Sequence, residues 1–269
     1  MKYNLFLVFL FFLFIRISLC AQTPDYCMSA PEGYAAGVTG GGTPTLNNTV
    51  TVTTASQFSA ELNGSKSIII VSGTLTFASQ LSKSFSNKTI VGLPGARLVN
   101  NTQTASGSGI LYLSGGSNII IRNLIFEGPG AYDVDGKDNL SLKGAARVWI
   151  DHCEFQDGID DCFDITGTSE NVTVSWCKFT HLKPPLAGGS GGSADHRFAN
   201  LIGGSDTDKP SDGHYSITWQ NCWWADGNKD RMVRGRNVEL HILNCYWSSQ
   251  VASNNISLTA GDIGCTCYV

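Results

Sequence analysis

Five aspartates near the middle of the chain have the spacing of a metal site. Asp157, Asp160, Asp161 and Asp164 lie within eight residues, and Asp138 precedes them by about one repeat of the pattern described below. If successive repeats stack, Asp138 meets Asp164. Carboxylates gathered without a cation repel one another and raise each other's pKa, and oxygen ligands from a flexible loop favour Ca²⁺. We predict a Ca²⁺ site at Asp138, Asp160 and Asp164, with a solvated Asp-rich surface turn as the alternative.

A basic cluster precedes the last legible repeat and reads Lys229-Asp-Arg231-Met-Val-Arg234-Gly-Arg236. The planar guanidinium group binds carboxylates through two parallel hydrogen bonds. In an extended segment Arg234 and Arg236 point to one side and Arg231 to the other, unless a bulge intervenes. The cluster is therefore a candidate site for an acidic substrate, and a solvated basic turn is the alternative.

The segments that must position these side chains repeat a short β-rich theme. Its copies align in one column at Leu124, Cys153, Cys177, Cys222 and Cys245, with spacings of 29, 24, 45 and 23 residues. A repeat of 23 to 29 residues, with one insertion in the 45-residue interval, is typical of a solenoid. Leucine is not periodic, which argues against leucine-rich repeats. The pattern favours a parallel β-helix, in which equivalent side chains stack about 4.8 Å apart.

Other segments fit the same architecture. Short β-rich runs before the repeats alternate with turns, and only Gln57–Asn63 has helical character. A Gly/Ser/Pro-rich insertion begins at Lys183, and insertions on repeats usually lie on the binding face. We expect the aligned cysteines to be buried and reduced, because neighbouring parallel strands rarely offer disulfide geometry. We expect the tryptophans to pack in the core or in turns.

The N-terminus and the composition indicate a secreted protein. Residues 1–20 contain an apolar run from Leu5 to Ile15, which predicts a signal peptide cleaved near Cys20–Ala21 and a single domain over 21–269. Eight cysteines then remain, an even number that permits disulfides in a secreted chain. The net charge of −4 and the lack of a basic run argue against nucleic-acid binding.

Several motifs, in this order, make the chain resemble the pectate lyase superfamily (polysaccharide lyase family 1). They are Val148-Trp-Ile-Asp-His-Cys, the aspartate loop, Asn171-Val-Thr-Val-Ser-Trp and Arg231-Met-Val-Arg-Gly-Arg. The resemblance covers roughly residues 32–250. It implies an all-β fold, a right-handed single-stranded parallel β-helix. It also implies a secreted, Ca²⁺-dependent monomer that cleaves polygalacturonate, a (1→4)-α-D-galacturonan, by β-elimination.

The resemblance also implies roles for individual residues. Arg231 matches the catalytic base, and Arg236 and Lys183 match residues that bind substrate carboxylates. Asp157 and Asp161 are left as ordinary turn residues. The implied Ca²⁺ ligands are Asp138, Asp160 and Asp164.

Some positions depart from the family pattern. Val233 replaces a proline, and Asn237 and Val238 replace an apolar residue and a glycine. Val233 is expected to loosen the placement of Arg231, and misplacement of a base is costly. The chain ends at Val269, before the further coils that such folds carry, which predicts a partial chain. Three alternatives stay open: a Ca²⁺-independent pectin lyase on methylated pectin, a galacturonan hydrolase, and a non-catalytic polysaccharide-binding β-helix.

Overall fold

The computed structural model describes residues 30–269, which form a parallel β-helix. Successive coils add strands to three sheets, and the paired strands run parallel to one another. The predicted all-β solenoid is therefore confirmed. The predicted signal peptide, residues 1–20, lies outside the described residues, and so does Cys27. Within residues 30–269, no helix has the length and apolar character needed to cross a membrane.

The strands of the three sheets follow one another around each coil. Sheet 1 contains Thr49–Val52, Ile68–Val71, Lys88–Gly92, Gly116–Arg122, Ala145–Asp151, Glu170–Ser175, Tyr215–Gln220, Val238–Leu243 and Thr266–Tyr268. Sheet 2 contains Thr74–Thr76, Arg97–Val99, Ile125–Glu127, Glu154–Gln156, Lys178–Thr180, Trp223–Trp224 and Tyr246–Trp247. Sheet 3 contains Leu81–Lys83, Leu111–Leu113, Leu140–Lys143, Phe163–Thr166, Leu201–Ile202, Arg234–Arg236 and Ser257–Thr259.

The bend from sheet 1 to sheet 2 places the predicted cysteine column inside the coils. In the five bends from the strand Gly116–Arg122 onward, one residue with left-handed backbone makes the turn, and asparagine tolerates this conformation better than most residues. The next residue points inward, and the Cys153 N–H donates to the Cys177 sulfur at 3.4 Å, one coil later. The seven described cysteines are free thiols, which confirms the reduced stack. The bend residues, with φ between 50° and 55°, are Asn123, His152, Trp176, Asn221 and Asn244.

A column of aromatic rings runs along the axis beneath sheet 2. Neighbouring ring centroids are 4.9 to 5.6 Å apart, and the ring planes lie within 17° of parallel. Each such pair stabilises the fold by about 0.5–1.5 kcal/mol beyond the burial of its surface. The spacing matches the coil repeat, so the stacking of coils carries these rings into contact. The column consists of Phe126, Phe155, Phe179, Trp224 and Trp247.

The α-helix Ala55–Leu62 covers the N-terminal end of the solenoid. It begins where the Thr54 side chain accepts a hydrogen bond from the Gln57 N–H at 3.2 Å. Its buried residues, Phe58 and Leu62, join the core of the first coils. The helix thus shields apolar side chains that an open end coil would expose to water. The predicted helical segment is confirmed, with a start two residues earlier than expected. A short 3₁₀-helix, Gly33–Ala35, precedes it.

Candidate active site

Three carboxylates converge on the outer face of sheet 3. Asp164 projects from the strand Phe163–Thr166, and Asp161 lies just before that strand. Asp138 lies just before the neighbouring strand, at the place equivalent to Asp161, so the pairing of the two strands sets these residues side by side. Oxygen atoms of the three carboxylates lie within 4.8 Å of one another. Asp161 and Asp164 are buried, and Asp138 is half-buried.

This group corrects the interpretation of Asp161 as an ordinary turn residue. Asp161 is 1% exposed, and its Oδ1 is buried with no hydrogen-bond partner among the described residues. Asp160 lies beside the group, with its Oδ1 4.0 Å from the guanidinium Nη1 of Arg231. The stacking register sets Asp161 opposite Asp138, and adjacent side chains on an extended backbone point in different directions. The role of Asp160 as a ligand stays a prediction.

Asp157 anchors the Gly-rich insertion, so its interpretation as an ordinary turn residue is also wrong. Its side chain is buried, and its Oδ1 accepts hydrogen bonds from the backbone N–H groups of Leu182 and Lys183 at 2.7 and 2.9 Å. The Lys183 ammonium donates to the Gly128 carbonyl at 2.8 Å and lies 3.6 Å from Glu127. These contacts direct Lys183 to the sheet 2 side of the insertion, and its role in substrate binding stays a prediction.

Burial disfavours the ionised forms of Asp138, Asp161 and Asp164, which are called the carboxylate group below. It raises the pKa of Asp138 and of Asp164 well above the usual range, and neighbouring carboxylates add to both shifts. Burial also raises the pKa of Asp161 to about 7, although the Arg231 guanidinium opposes this shift. A bound cation would relieve this repulsion. The all-oxygen donor set, with an unsatisfied buried oxygen on Asp161, fits a hard divalent cation such as Ca²⁺.

Arg231 is the basic partner of the carboxylates. Its Nη1 forms an ion pair with Asp161, and its side chain is 19% exposed. Its φ of 58° is uncommon for a residue with a side chain, and such conformations cluster at functional sites. Burial acts to lower the pKa of Arg231, but the charges of Asp161, Asp164 and Asp160 outweigh it and raise that pKa. Without a cation the guanidinium is therefore firmly protonated.

The insertion supplies neighbours of Arg231 that the sequence analysis missed. The backbone at Phe198 forms β-bridges with Asp161 on one side and Asp230 on the other. The guanidinium carbon of Arg231 lies 4.2 Å from the centroid of the Phe198 ring. The His196 ring meets the Phe198 ring edge-on, with centroids 4.7 Å apart. No motif signals these residues, because the length of the insertion interrupts the repeat count.

A cavity of about 550 Å³ extends along sheet 3 from the carboxylate group. Nearby, Arg234 and Arg236 alternate with the buried Gly235 and so point outward from the strand. Arg236 donates from Nε to Asp206 at 3.1 Å and from Nη1 to the Gly203 carbonyl at 2.8 Å. The arginines and the cavity together offer a charged surface to an extended ligand. The cavity is lined by Lys143, Asp164, Thr166, Leu201, Gly204, Ser205, Thr207 and Asp208.

Two of the departures from the family pattern have structural roles. Val233 is fully buried in the core. Asn237 has a φ of 48°, and its side-chain amide donates to the carbonyls of Asp206 and Asp208 at 2.8 and 3.1 Å. Its Oδ1 accepts from the Ile263 N–H at 3.1 Å. Asn237 therefore fixes the loop that bounds the cavity.

Known proteins resemble this chain over most of its length. A model of the pectate lyase family matches residues 13–264. A probable pectate lyase B of Aspergillus terreus is 34% identical over 233 residues, covering 82% of this chain and 62% of that protein. A pectate trisaccharide-lyase of Thermotoga maritima is 33% identical over 193 residues, which are 68% of this chain. Those residues are 46% of the Thermotoga protein, so the chain spans about half the length of that relative.

Solved structures share the fold. A pectate lyase of a Bacillus species, crystallised in complex with trigalacturonate, superimposes with a TM-score of 0.61. The match covers 89% of this chain and 74% of that chain, at 22% sequence identity. At this identity the likeness shows the parallel β-helix alone.

Proposed function

Because the chain belongs to the pectate lyase family, we propose that it is a Ca²⁺-dependent pectate lyase that cleaves (1→4)-α-D-galacturonan by β-elimination. The observation that carries this proposal is the group of Asp138, Asp161 and Asp164 with the Arg231 guanidinium against it. A cation shared between an acidic polymer and an acidic group offsets the repulsion between them. Elimination next to a carboxylate needs a base at the same place. The site supplies ligands for the cation and a candidate for the base.

The cation would be held by Asp138, Asp161 and Asp164, with Asp160 at the edge of the group as a further predicted ligand. When bound, Ca²⁺ acts as a Lewis acid on the C6 carboxylate of the substrate and so acidifies the neighbouring C5 hydrogen. The same charge offsets the repulsion that raises the pKa values of the buried carboxylates.

Arg231 is the proposed base that accepts the C5 proton. Arginine is normally protonated in proteins, and the surrounding carboxylates strengthen this tendency here. Carboxylates engaged by a cation no longer stabilise the guanidinium, which lowers the pKa of Arg231 toward the range that a base needs. As the C5–H bond breaks, its electrons form the C4–C5 double bond while the bond from C4 to the 4-linked oxygen breaks with its electron pair. The departing oxygen takes a proton from solvent water, and the product carries an unsaturated end.

Arg236 and the cavity beside Asp164 are proposed to hold galacturonate units of the polymer. Arg236 points outward and pairs with Asp206, whose side chain is 74% exposed. An ion pair with one largely exposed partner contributes little stability, so a substrate carboxylate can replace Asp206. A substrate carboxylate also offers the guanidinium a bidentate partner. Lys143 supplies a further positive charge at the cavity wall.

Secretion is part of the proposal, because the polymer lies outside the cell. The apolar run from Leu5 to Ile15 supports a signal peptide. We expect the processed chain to act on polygalacturonate as a monomer.

The test is a lyase assay on polygalacturonate that follows the ultraviolet absorbance of the unsaturated product. We expect absorbance to rise with Ca²⁺, to stop rising with EDTA, and to recover when Ca²⁺ is restored. A folded protein that produces no absorbance change at any pH with Ca²⁺ contradicts the proposal. Binding without turnover would indicate a polysaccharide-binding protein. Activity on methylated pectin that resists EDTA would indicate a pectin lyase.

A further inference from the structure

Arg231 contacts Asp161 across an intervening coil. Asp161 and Asp230 each form a β-bridge with Phe198, which places these three backbones on successive coils. Neighbouring parallel strands lie about 4.8 Å apart. The Arg231 side chain must therefore cross the coil of Phe198 before its Nη1 meets the Asp161 carboxylate. The ring of Phe198 lies along this path, 4.2 Å from the guanidinium carbon.

Phe198 is itself held firmly. Its side chain is 8% exposed, and the edge-on contact with His196 limits the positions of its ring. The Nδ1 of His196 lies 3.0 Å from the Tyr132 carbonyl, which fixes the imidazole in turn. The Asn200 N–H donates to the Arg231 carbonyl at 2.7 Å. The segment that closes the insertion thus supports both the backbone and the side chain of Arg231.

We propose that Phe198 is a positioning residue that holds the Arg231 guanidinium above the carboxylate group. The inference rests on the proposed function, in which Arg231 is the base. A guanidinium that lies over an aromatic face keeps its N–H groups, which lie in its own plane, free to meet carboxylates. An aliphatic side chain can fill the same space but offers no face of negative potential. Orientation of Arg231, rather than packing alone, is therefore the property that requires an aromatic residue here.

The first experiment compares Phe198→Leu with Phe198→Tyr. We expect Phe198→Leu to lower kcat about 10- to 100-fold with KM changed less than about twofold, because a misplaced base slows the chemical step. Phe198→Tyr should keep most of the kcat. The matched control is Phe126→Leu, which alters the fully buried aromatic column away from Arg231 and should leave kcat unchanged. Wild-type kcat in Phe198→Leu, or equal losses in the leucine and tyrosine variants, overturns the inference.

A second experiment tests the contact between Phe198 and Arg231 through protein stability, with no measurement of activity. Thermal midpoints are measured for Phe198→Leu, Arg231→Gln and the double variant. If the ring supports the guanidinium, Phe198→Leu lowers the midpoint less in the Arg231→Gln background than in the wild type. Additive shifts contradict the contact. An inactive wild type would refute the proposed function, whereas this cycle would still decide whether Phe198 holds Arg231.

Discussion

The interior beneath sheet 2 and the outer face of sheet 3 use the same stacking of coils with opposite electrostatic results. In the interior, stacking repeats uncharged groups, as in the aromatic column from Phe126 to Trp247. On the outer face, stacking gathers Asp138, Asp161 and Asp164, whose charges repel. Arg231, from two coils later, balances only part of this charge.

The difference shows where a repetitive fold can place chemistry. Stacked rings gain contact with every added coil, so the interior is favourable without any ligand. Each carboxylate added to a stack lowers the stability of the fold by charge repulsion, unless a counter-charge is present. A solenoid face that tolerates such repulsion is therefore a place where a cation and an anionic substrate can bind. The two regions should respond to mutation in separable ways.

The largest expected effect separates catalysis from stability on the outer face. Arg231→Lys should lower kcat about 10²- to 10⁴-fold, the usual contribution of a positioned acid or base. The thermal midpoint should fall only modestly, because lysine keeps the positive charge of this side chain and loses the guanidinium contact with Phe198. The lyase assay and a thermal melt measure the two quantities. Arg147→Lys, at an exposed arginine on sheet 1, is the matched control and should keep full activity. Full activity in Arg231→Lys refutes the assignment of the base.

A mutation in the interior should lower the stability of the fold and leave kcat unchanged. Phe126→Ala removes a fully buried ring from the aromatic column and should lower the free energy of unfolding by about 3–5 kcal/mol. Urea denaturation measures this loss, and Phe126→Leu should lose less. Below the unfolding transition, kcat should equal that of the wild type. A loss of kcat in the folded variant would show that the two regions are coupled.

The pH dependence of stability should have opposite signs in the two regions. His181 is a buried residue that directly follows the sheet 2 strand Lys178–Thr180, and burial lowers its pKa from 6.5 to about 4. Below about pH 6.5 the unfolded chain binds a proton that the folded chain rejects. The stability that neutral His181 provides is therefore complete above pH 6.5 and is lost as pH falls toward 4, by about 3 kcal/mol. Asp161, with a pKa raised to about 7, should make the cation-free protein less stable as pH rises from about 4 to 7.

His181→Gln isolates the first of these two effects. Subtracting the unfolding free energies of wild type and variant at each pH cancels the contribution of the carboxylate group. The difference should shrink as pH falls from 7 to 4, in urea denaturation with EDTA present. A difference that stays constant over this range would mean that His181 takes up its proton in the folded protein.

The smallest expected effect distinguishes two adjacent aspartates. Ca²⁺ at 100 times its dissociation constant should stabilise the wild type by about 2.7 kcal/mol. Asp161→Asn should lose most of this gain, because Asp161 lies within the carboxylate group, while Asp160→Asn should keep more of it. Thermal melts with and without Ca²⁺ measure both. Greater loss in Asp160→Asn would restore the original ligand set.

The fold could be predicted from the sequence because its signal is periodic. The β-rich motif that aligns at Cys153 and Cys177 recurs often enough to reveal the coils without a structure. The site was harder to predict, because it depends on how neighbouring strands pair next to irregular loops. Counting repeats set Asp138 opposite Asp164, whereas strand pairing sets it opposite Asp161. Phe198 could not be found at all, since the insertion before it has no period.

The parallel pairing of the strands also determines how the chain must fold. Strands meet only one coil apart, as when Thr49 pairs with Ile68, and no hairpin joins the strands described between residues 30 and 269. Each coil must close before its hydrogen bonds form, and folds with such distant pairings fold slowly. The helix Ala55–Leu62 is the one α-helix within these residues that can form from local contacts alone. We therefore expect refolding to proceed from a first closed coil by addition of its neighbours, with the rate set by chain closure.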